Sequence, residues 1–383
     1  LFGFGFLFIY LFWIYNPFLV YDITAPYMFL GILLPIFLAV FFGLGFLIFK
    51  IFNTQLLLIL VIPYIFTLIE FSISNFFYGF PWFSNSLILS NNFFGFYILK
   101  YFGTIAAGYI IISIFVLASF ILYSFQRNHI LKLGFISYSS FIFFLIIPIL
   151  YTFHKNDILV KELNIDAHQI LSPIIKKNKK NIEENIINQI KQSKADLIIF
   201  AENNFPYIID KNSYLDLTHL IKKDKKVIIG GNSVEDQNYY NSFLFLEKDN
   251  VQIFDKKILV PFGEFLPFRS YLKFLENISG NVDFTSGNNE RIIKSSDQLS
   301  ILPVICYEII FNKILRKINE KEIDILINIT NDSWFGNTLG PYQHFYHARM
   351  RALISNKSLL RVSNNGISGI IDNNGKVLTF TKL

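Results

Sequence analysis

The sequence predicts two unlike bodies in one chain: a multi-pass α-helical membrane domain over residues 1–154, then an α/β layered domain over residues 155–383. Three observations predict it. Charge is segregated: residues 1–154 hold four basic residues (Lys50, Lys100, Arg127, Lys132) and two acids (Asp22, Glu70), and the other 30 of 34 basic and 26 of 28 acidic residues follow. The first part carries five apolar runs, each near the ~20 residues that a spanning helix needs. Beyond about residue 157, short β-branched runs alternate with helical patterns.

The composition agrees. The chain is 53% hydrophobic and 16% charged, against about 25% charged in an ordinary soluble domain. Its net charge of +6 is spread over Lys/Asn-rich stretches, and no basic stripe is interleaved with aromatics, which argues against nucleic acid as a partner. The run "KKNKKN" (176–181) reads as a solvated helix start. A single cysteine, Cys306, excludes an intramolecular disulfide.

The five spans are expected at 1–20, 27–49, 55–74, 102–124 and 132–153. A cleaved signal peptide fits the first poorly, because no basic segment precedes it and four more spans follow. The chain opens inside an apolar run, and we expect a fragment of a longer protein. Lys50, Arg127 and Lys132 lie in the second and fourth connections, which share one side. By the positive-inside rule that side is cytoplasmic, so the domain after residue 154 is expected outside the cytoplasm. The third connection, about 75–101, holds "GFPW" (79–82). Trp82 and its Phe neighbours fit an aromatic belt at headgroup depth, or a wall beside a site that handles acyl chains. Glu70, near the outer end of the third span, is either snorkelling or chemical.

In the second part, strands are expected at "DILVKEL", "ADLIIFAE", "KKVIIGG" (ending in its glycines), "YYNSFLFL", "NVQIFDKKILV", "LSILPVICYE" and "IDILINITND". Helices are expected at 181–194 and 342–357, and "NNGK" closes a final hairpin. Three polar residues stand out at the carboxyl ends of these strands: Glu202, Lys256 (within "IFDKKILVPFGE") and Cys306. Sites in layered sheets gather at strand carboxyl ends. A thiol needs a base or cation beside it to become a nucleophile. A carboxylate can take its proton, and an ammonium can hold the negative charge that develops.

"AENNFP", "KKILVPFGEFLPF", "ICYEIIF" and "LINITNDSWFG", in this order behind several spans, resemble the nitrilase superfamily. More narrowly, they resemble its membrane-bound bacterial branch, the apolipoprotein N-acyltransferases. The resemblance implies a four-layer αββα sandwich and a Glu-Lys-Cys triad. It places the base at Glu202, the lysine at Lys256 (with the adjacent Lys257 left open) and the nucleophile at Cys306. Glu264 of "PFGE" matches a supporting glutamate, and Tyr307 and Glu308 match positions near the pocket. The Tyr307 N–H is a second oxyanion donor on this reading. "NDSWFG" is expected to shape the pocket wall, with Trp334 contacting lipid. The branch usually has Trp-Pro before the base, where this chain has Phe200-Ala201. It also has helices before and after the segment present here.

The implied reaction moves an acyl group from a phospholipid to Cys306, then to the α-amine of a diacylated apolipoprotein, by ping-pong steps in the bacterial inner membrane. No cofactor and no metal are expected, and the chain is expected to act as a monomer. His344 and His347 have metal-like spacing but no carboxylate or Cys partner spaced for it. Two other readings compete: a membrane-anchored amidase or nitrilase acting on a small substrate, and a transporter or receptor with an inert outer domain.

Overall fold

In the computed structural model, the described residues are 1–51, 55–91, 93–124, 139, 163–170, 178–211, 213, 221, 225–248, 250–288, 291–315 and 322–381. The chain divides into two compact units. One comprises Leu1–Phe12 and Ile32–Val160, the other Trp13–Gly31 and Lys161–Leu383.

The first unit is helical: α1 (Phe2–Tyr10), α2 (Leu33–Ile48), α3 (Gln55–Asn75) and α4 (Phe93–Ser124). Runs this apolar satisfy their backbone internally only as helices when no water is at hand. Among the described residues, two stretches are long and apolar enough to cross a membrane, Ala25–Ile51 and Gly95–Leu117. The first expected span is divided, its helix ending at Tyr10 and a 3₁₀ turn resuming at Phe12. The span expected from 102 belongs to a helix that starts at Phe93, so the third connection is shorter than its apolar sequence suggests. That helix breaks at Gly103, where φ is +69°. The span expected at 132–153, with Arg127 and Lys132, lies outside the described residues, as does the strand expected at "DILVKEL" up to residue 162.

Burial bears on two residues of this unit whose roles the sequence leaves open. Trp82 is fully buried, stacked on Phe80 with ring centroids 6.2 Å apart, and so does not occupy a surface belt. Glu70 does not snorkel. It is 2% exposed and accepts hydrogen bonds from Ser84 Oγ (2.7 Å) and the Asn85 amide (3.0 Å). A buried carboxylate needs such donors, and the chain after α3 turns back to supply them. The turn requires Gly79 (φ +72°), where a Cβ would lie 2.3 Å from the Ser74 carbonyl oxygen.

The second unit contains two six-stranded sheets. The first is built from β1 (Ile165–His168), β2 (Leu197–Phe200), β3 (Ile208–Asp210), β4 (Lys226–Glu235), β5 (Asn238–Glu247) and β6 (Asn250–Asp255). Its order is β1-β2-β4-β5-β6, with β3 also on β4. The second contains β7 (Ile293–Lys294), β8 (Ser300–Ile305), β9 (Ile325–Asn331), β10 (Ser358–Asn364), β11 (Gly369–Ile371) and β12 (Val377–Phe380), ordered β12-β11-β10-β9-β8-β7. Strands β1, β2 and β4 run parallel, as do β8, β9 and β10. β4 runs on to Glu235 rather than stopping at its glycines.

Alternation along the strands assigns the layers. Leu197, Ile199, Ile228, Phe243 and Phe245 meet Ile301, Ile305, Ile327, Ile329, Leu360 and Val362 in the core between the sheets. Ile198, Phe200, Val227 and Ile229 face the other way, onto Ile186 and Ile190 of helix α5 (Lys179–Gln192). Helix α6 (Gly340–Ser355) packs against β10 of the second sheet. The result is a helix-sheet-sheet-helix sandwich. Each buried Leu, Ile or Phe contributes about 1.5–3 kcal/mol, which fixes the strand ends that carry the polar residues.

Candidate active site

Three strand ends of this sandwich converge. Glu202 lies two residues beyond β2, Lys256 follows the last residue of β6, and Cys306 follows the last residue of β8. Their relative exposures are 5%, 1% and 8%, so the sequence places a carboxylate, an ammonium and a thiol in a dry interior. Lys256 Nζ lies 2.8 Å from Glu264 Oε1 and 3.8 Å from Glu202 Oε1. Glu202 Oε2 has no hydrogen-bond partner among the described residues, and the Cys306 thiol is one of the neighbours, with Lys256, Glu264 and Asn241, that act on this carboxyl. Lys257 is positioned differently: its backbone N–H donates to Glu308 Oε1 at 2.9 Å.

Close packing brings Glu202 into place. A Cβ on Gly230 of β4 would sit 2.5 Å from Glu202 Cα and 2.8 Å from the Ala201 carbonyl oxygen, so only glycine lets the strand pass this close. Asn204 accepts from the Ala201 amide (2.9 Å), and Asn364 Nδ2 donates to the Glu202 carbonyl (3.1 Å). Asn364, the first residue of "NNG" at 364–366, thus tethers the Glu202 segment.

The electrostatics follow from burial. Desolvation lifts the Glu202 carboxyl above its ordinary range; Lys256 opposes this, Glu264 adds to it, and the Asn241 and Cys306 hydrogen bonds lower it. Desolvation also raises the Cys306 thiol, with the Glu202 charge adding and Lys256 and Thr330 opposing. Burial works against the Lys256 ammonium, but Glu264, Glu202 and Cys306 together outweigh it, so its pKa is raised and the charge is kept. The resting site therefore holds a neutral thiol beside the Glu202 carboxyl and a fixed cation. Such a site can pass the thiol proton to Glu202 as sulfur attacks.

Cys306 itself sits at φ +47°, in the left-handed region that costs a non-glycine residue about 1–2 kcal/mol. Its surroundings over-determine that strain. Glu308, wholly buried, accepts from the Ile305 amide (2.9 Å), the Lys257 amide (2.9 Å) and the Ile258 amide (3.2 Å), and pairs with Arg291 at 2.7 Å. One carboxylate thereby ties the cysteine turn to the lysine segment. Burial alone would raise its pKa, but Arg291 and these donors bring it below the usual range. From helix α6, Arg351 donates to the Ile309 (2.8 Å) and Ile310 (2.9 Å) carbonyls, and His344 Nε2 lies 3.2 Å from the Cys306 carbonyl oxygen. His344 belongs to this cluster as a neighbour of Cys306.

Other functional residues were not singled out by sequence. Asn241 donates through Nδ2 to both Glu202 Oε1 and Glu264 Oε1, each at 2.8 Å. Asp332 and Arg361, both fully buried, pair at 2.7 Å beneath the cysteine turn. The available signal was a polar residue inside an apolar strand, as in "YYNSFLFL" and "LINITND", since a buried amide or carboxylate needs partners. Tyr307 is buried beside Cys306, with its ring 5.1 Å from that of Phe311. Trp334 is half-buried; its carbonyl accepts from Asn16 Nδ2 (2.9 Å) and its ring lies 6.3 Å from Tyr21. Trp82 belongs to the helical unit.

Comparison with known proteins gives the following. The family model described as carbon-nitrogen hydrolase matches residues 171–382. The chain is similar to apolipoprotein N-acyltransferase of Rickettsia typhi, 35% identical over 202 residues, covering 49% of this chain and 40% of that one. It is also similar to the protein of that name from Wigglesworthia glossinidia brevipalpis, 38% identical over 212 residues, covering 51% and 42%. The chain thus spans about two fifths of the length of these curated relatives. Among solved structures it is similar to Nit3 of Saccharomyces cerevisiae, a member of branch 10 of the nitrilase superfamily (18% identity, TM-score 0.44, 60% of this chain and 89% of that one). A carbon-nitrogen hydrolase from Helicobacter pylori G27 is similar at 17% identity and TM-score 0.40, over 57% and 85%. With more than half of its residues matched by the family model, the chain belongs to the carbon-nitrogen hydrolase family.

Proposed function

We propose that this chain transfers a fatty acyl group from a phospholipid to the N-terminal amine of a diacylglyceryl-cysteine lipoprotein, by way of a thioester on Cys306. The observation that carries the reading is the convergence of Glu202, Lys256 and Cys306, with the Lys256 ammonium held 2.8 Å from Glu264 and 3.8 Å from Glu202. The relatives named apolipoprotein N-acyltransferase support the substrates, and the apolar helices support a membrane setting.

The chemistry takes two steps. Cys306 sulfur attacks the ester carbonyl carbon while Glu202 takes the thiol proton. Lys256 and the Tyr307 N–H hold the oxyanion. The intermediate collapses, the C–O bond breaks, and Glu202 returns the proton to the departing lysophospholipid. The lipoprotein amine then attacks the thioester, Glu202 takes its proton, and the thiolate leaves and is reprotonated. Each oxyanion donor is worth about 3 kcal/mol of barrier, roughly a hundredfold in rate. The chain acts as a monomer in the bacterial inner membrane, with its sandwich on the outer face.

The test incubates membranes bearing the full chain with phospholipid labelled in the acyl group. We expect hydroxylamine-sensitive label on the wild type and none on Cys306→Ser, with release by a diacylated lipopeptide. Equal labelling of both proteins would overturn the triad. Label discharged by water but not by the lipopeptide would favour a membrane-anchored amidase.

A further inference from the structure

We propose that His344 is a positioning residue that orients the Cys306–Tyr307 peptide, so that the Tyr307 N–H points at the developing oxyanion. The inference deepens the reading above and rests on its assignment of that N–H as a donor.

The argument begins with the peptide. No peptide bond here is cis, so the Cys306 C=O and the Tyr307 N–H point in opposite directions. Whatever fixes one fixes the other. Cys306 lies at φ +47°, a conformation that relaxes unless its neighbours prevent it. His344 Nε2 lies 3.2 Å from the Cys306 carbonyl oxygen, and both residues are buried. A carbonyl oxygen only accepts, so this contact requires a proton on Nε2.

The other edge of the ring explains why it stays put. Nδ1 lies 2.9 Å from Asp332 Oδ1, an acceptor, and 3.0 Å from Arg361 Nη2, a donor. It finds a partner whether or not it carries a proton. Arg361 is anchored on Asp332 Oδ2 at 2.7 Å and on Asn328 of β9. Burial and Arg361 lower the His344 pKa against the opposing pull of Asp332, which favours the neutral ring. In the neutral ring with its proton on Nε2, Nδ1 accepts from Arg361 and Nε2–H faces the carbonyl, and the 2.9 Å contact of Nδ1 with Asp332 Oδ1 carries no hydrogen bond. Arg351, two turns along α6, holds the far end of the same turn at Ile309 and Ile310. One helix face thus holds the cysteine turn at both ends.

The test separates attack at a carbonyl, which builds an oxyanion, from attack at a saturated carbon, which does not. The full chain in its membrane is reacted with p-nitrophenyl acetate, read as the nitrophenolate burst, and separately with iodoacetamide, read as Cys306 alkylation. For His344→Leu we expect the burst rate to fall about ten- to a hundredfold, below the loss from deleting a donor outright. Alkylation is expected to stay within about threefold of wild type. His344→Gln, whose amide can place an N–H near the carbonyl, is expected to recover most of the burst.

A wild-type burst in His344→Leu would overturn the proposal. So would a parallel loss of burst and alkylation without recovery by Gln, which marks a purely structural role. Should the Leu variant not fold, the ¹⁵N spectrum of histidine-labelled wild type decides, with His344→Gln assigning the signal. A bare Nε2 at His344 overturns the proposal; a protonated one supports it. The nitrophenyl ester needs no lipid pocket. A chain that shows this pattern but takes no label from phospholipid therefore keeps the inference and loses the substrate reading.

Discussion

Replacing Asn241 by leucine tests the electrostatic logic of the site. The buried cluster holds two carboxylates, Glu202 and Glu264, and one ammonium, Lys256. Asn241 lies between the carboxylates and donates 2.8 Å hydrogen bonds to both. Leucine nearly matches its volume and removes both donors. A hydrogen bond to a charged group is worth about 1.5–3 kcal/mol, and one pKa unit is worth about 1.36 kcal/mol, so the lost bond to Glu202 amounts to about one to two units. The sign follows from which form the bond favours. Asn241 stabilises the ionised carboxylate, so its removal raises a pKa that burial has already lifted. The base is then ionised only at higher pH. The rate of Cys306 alkylation by iodoacetamide, followed against pH, is expected to show its acid limb shifted upward by about one to two units, with the high-pH plateau largely kept. Glu264 loses one partner too but retains Lys256 Nζ and the Val260 amide, both at 2.8 Å. An unmoved limb, or one moved to lower pH, in a variant with an unchanged unfolding midpoint would refute the reasoning.

Two further perturbations probe the scaffold. Gly230→Ala puts a Cβ against Glu202 Cα and the Ala201 carbonyl, where backbone cannot yield, so it is expected to cost about 1–3 kcal/mol in urea unfolding and to slow the nitrophenyl ester burst at least tenfold; a wild-type burst would show that Glu202 is not placed by this contact. Glu308→Gln leaves Arg291 buried without its anion and is expected to cost about 3–5 kcal/mol at pH 7. Because the folded pKa of Glu308 is lowered, its stabilisation is full above the unfolded value near pH 4 and fades as pH falls through the folded one. The gap between wild type and variant in urea midpoint should therefore narrow below about pH 4, and a gap independent of pH would count against the ion pair.

Much of this was accessible from residue order. Charge segregation and apolar run length separated helices from sandwich. Continuous apolar runs in "ADLIIFAE" and "ILPVICYE" placed Glu202 and Cys306 at strand ends, because a fully buried strand is written directly as such a run. The lysine was less clear. Lys256 and Lys257 are chemically alike, and only the register of β6 against β5 turns the first toward Glu264 and leaves the second to offer its backbone to Glu308. In the helical unit, sequence left Trp82 between a surface belt and a wall, and Glu70 between snorkelling and chemistry, since apolar composition alone does not distinguish a lipid-facing ring from a packed one.

The sequence by itself determined the two-part architecture, through charge segregation and periodicity, and its motifs carried the resemblance that implied the sandwich and pointed to Glu202 and Cys306. Only the tertiary structure decided what holds them. Asn241, Arg291, Asp332, His344 and Arg361 come from separate elements, and each is ordinary in its local context. Their roles arise because a buried polar group must find its partner in three dimensions, and the sheet order brings together residues that chain distance keeps apart.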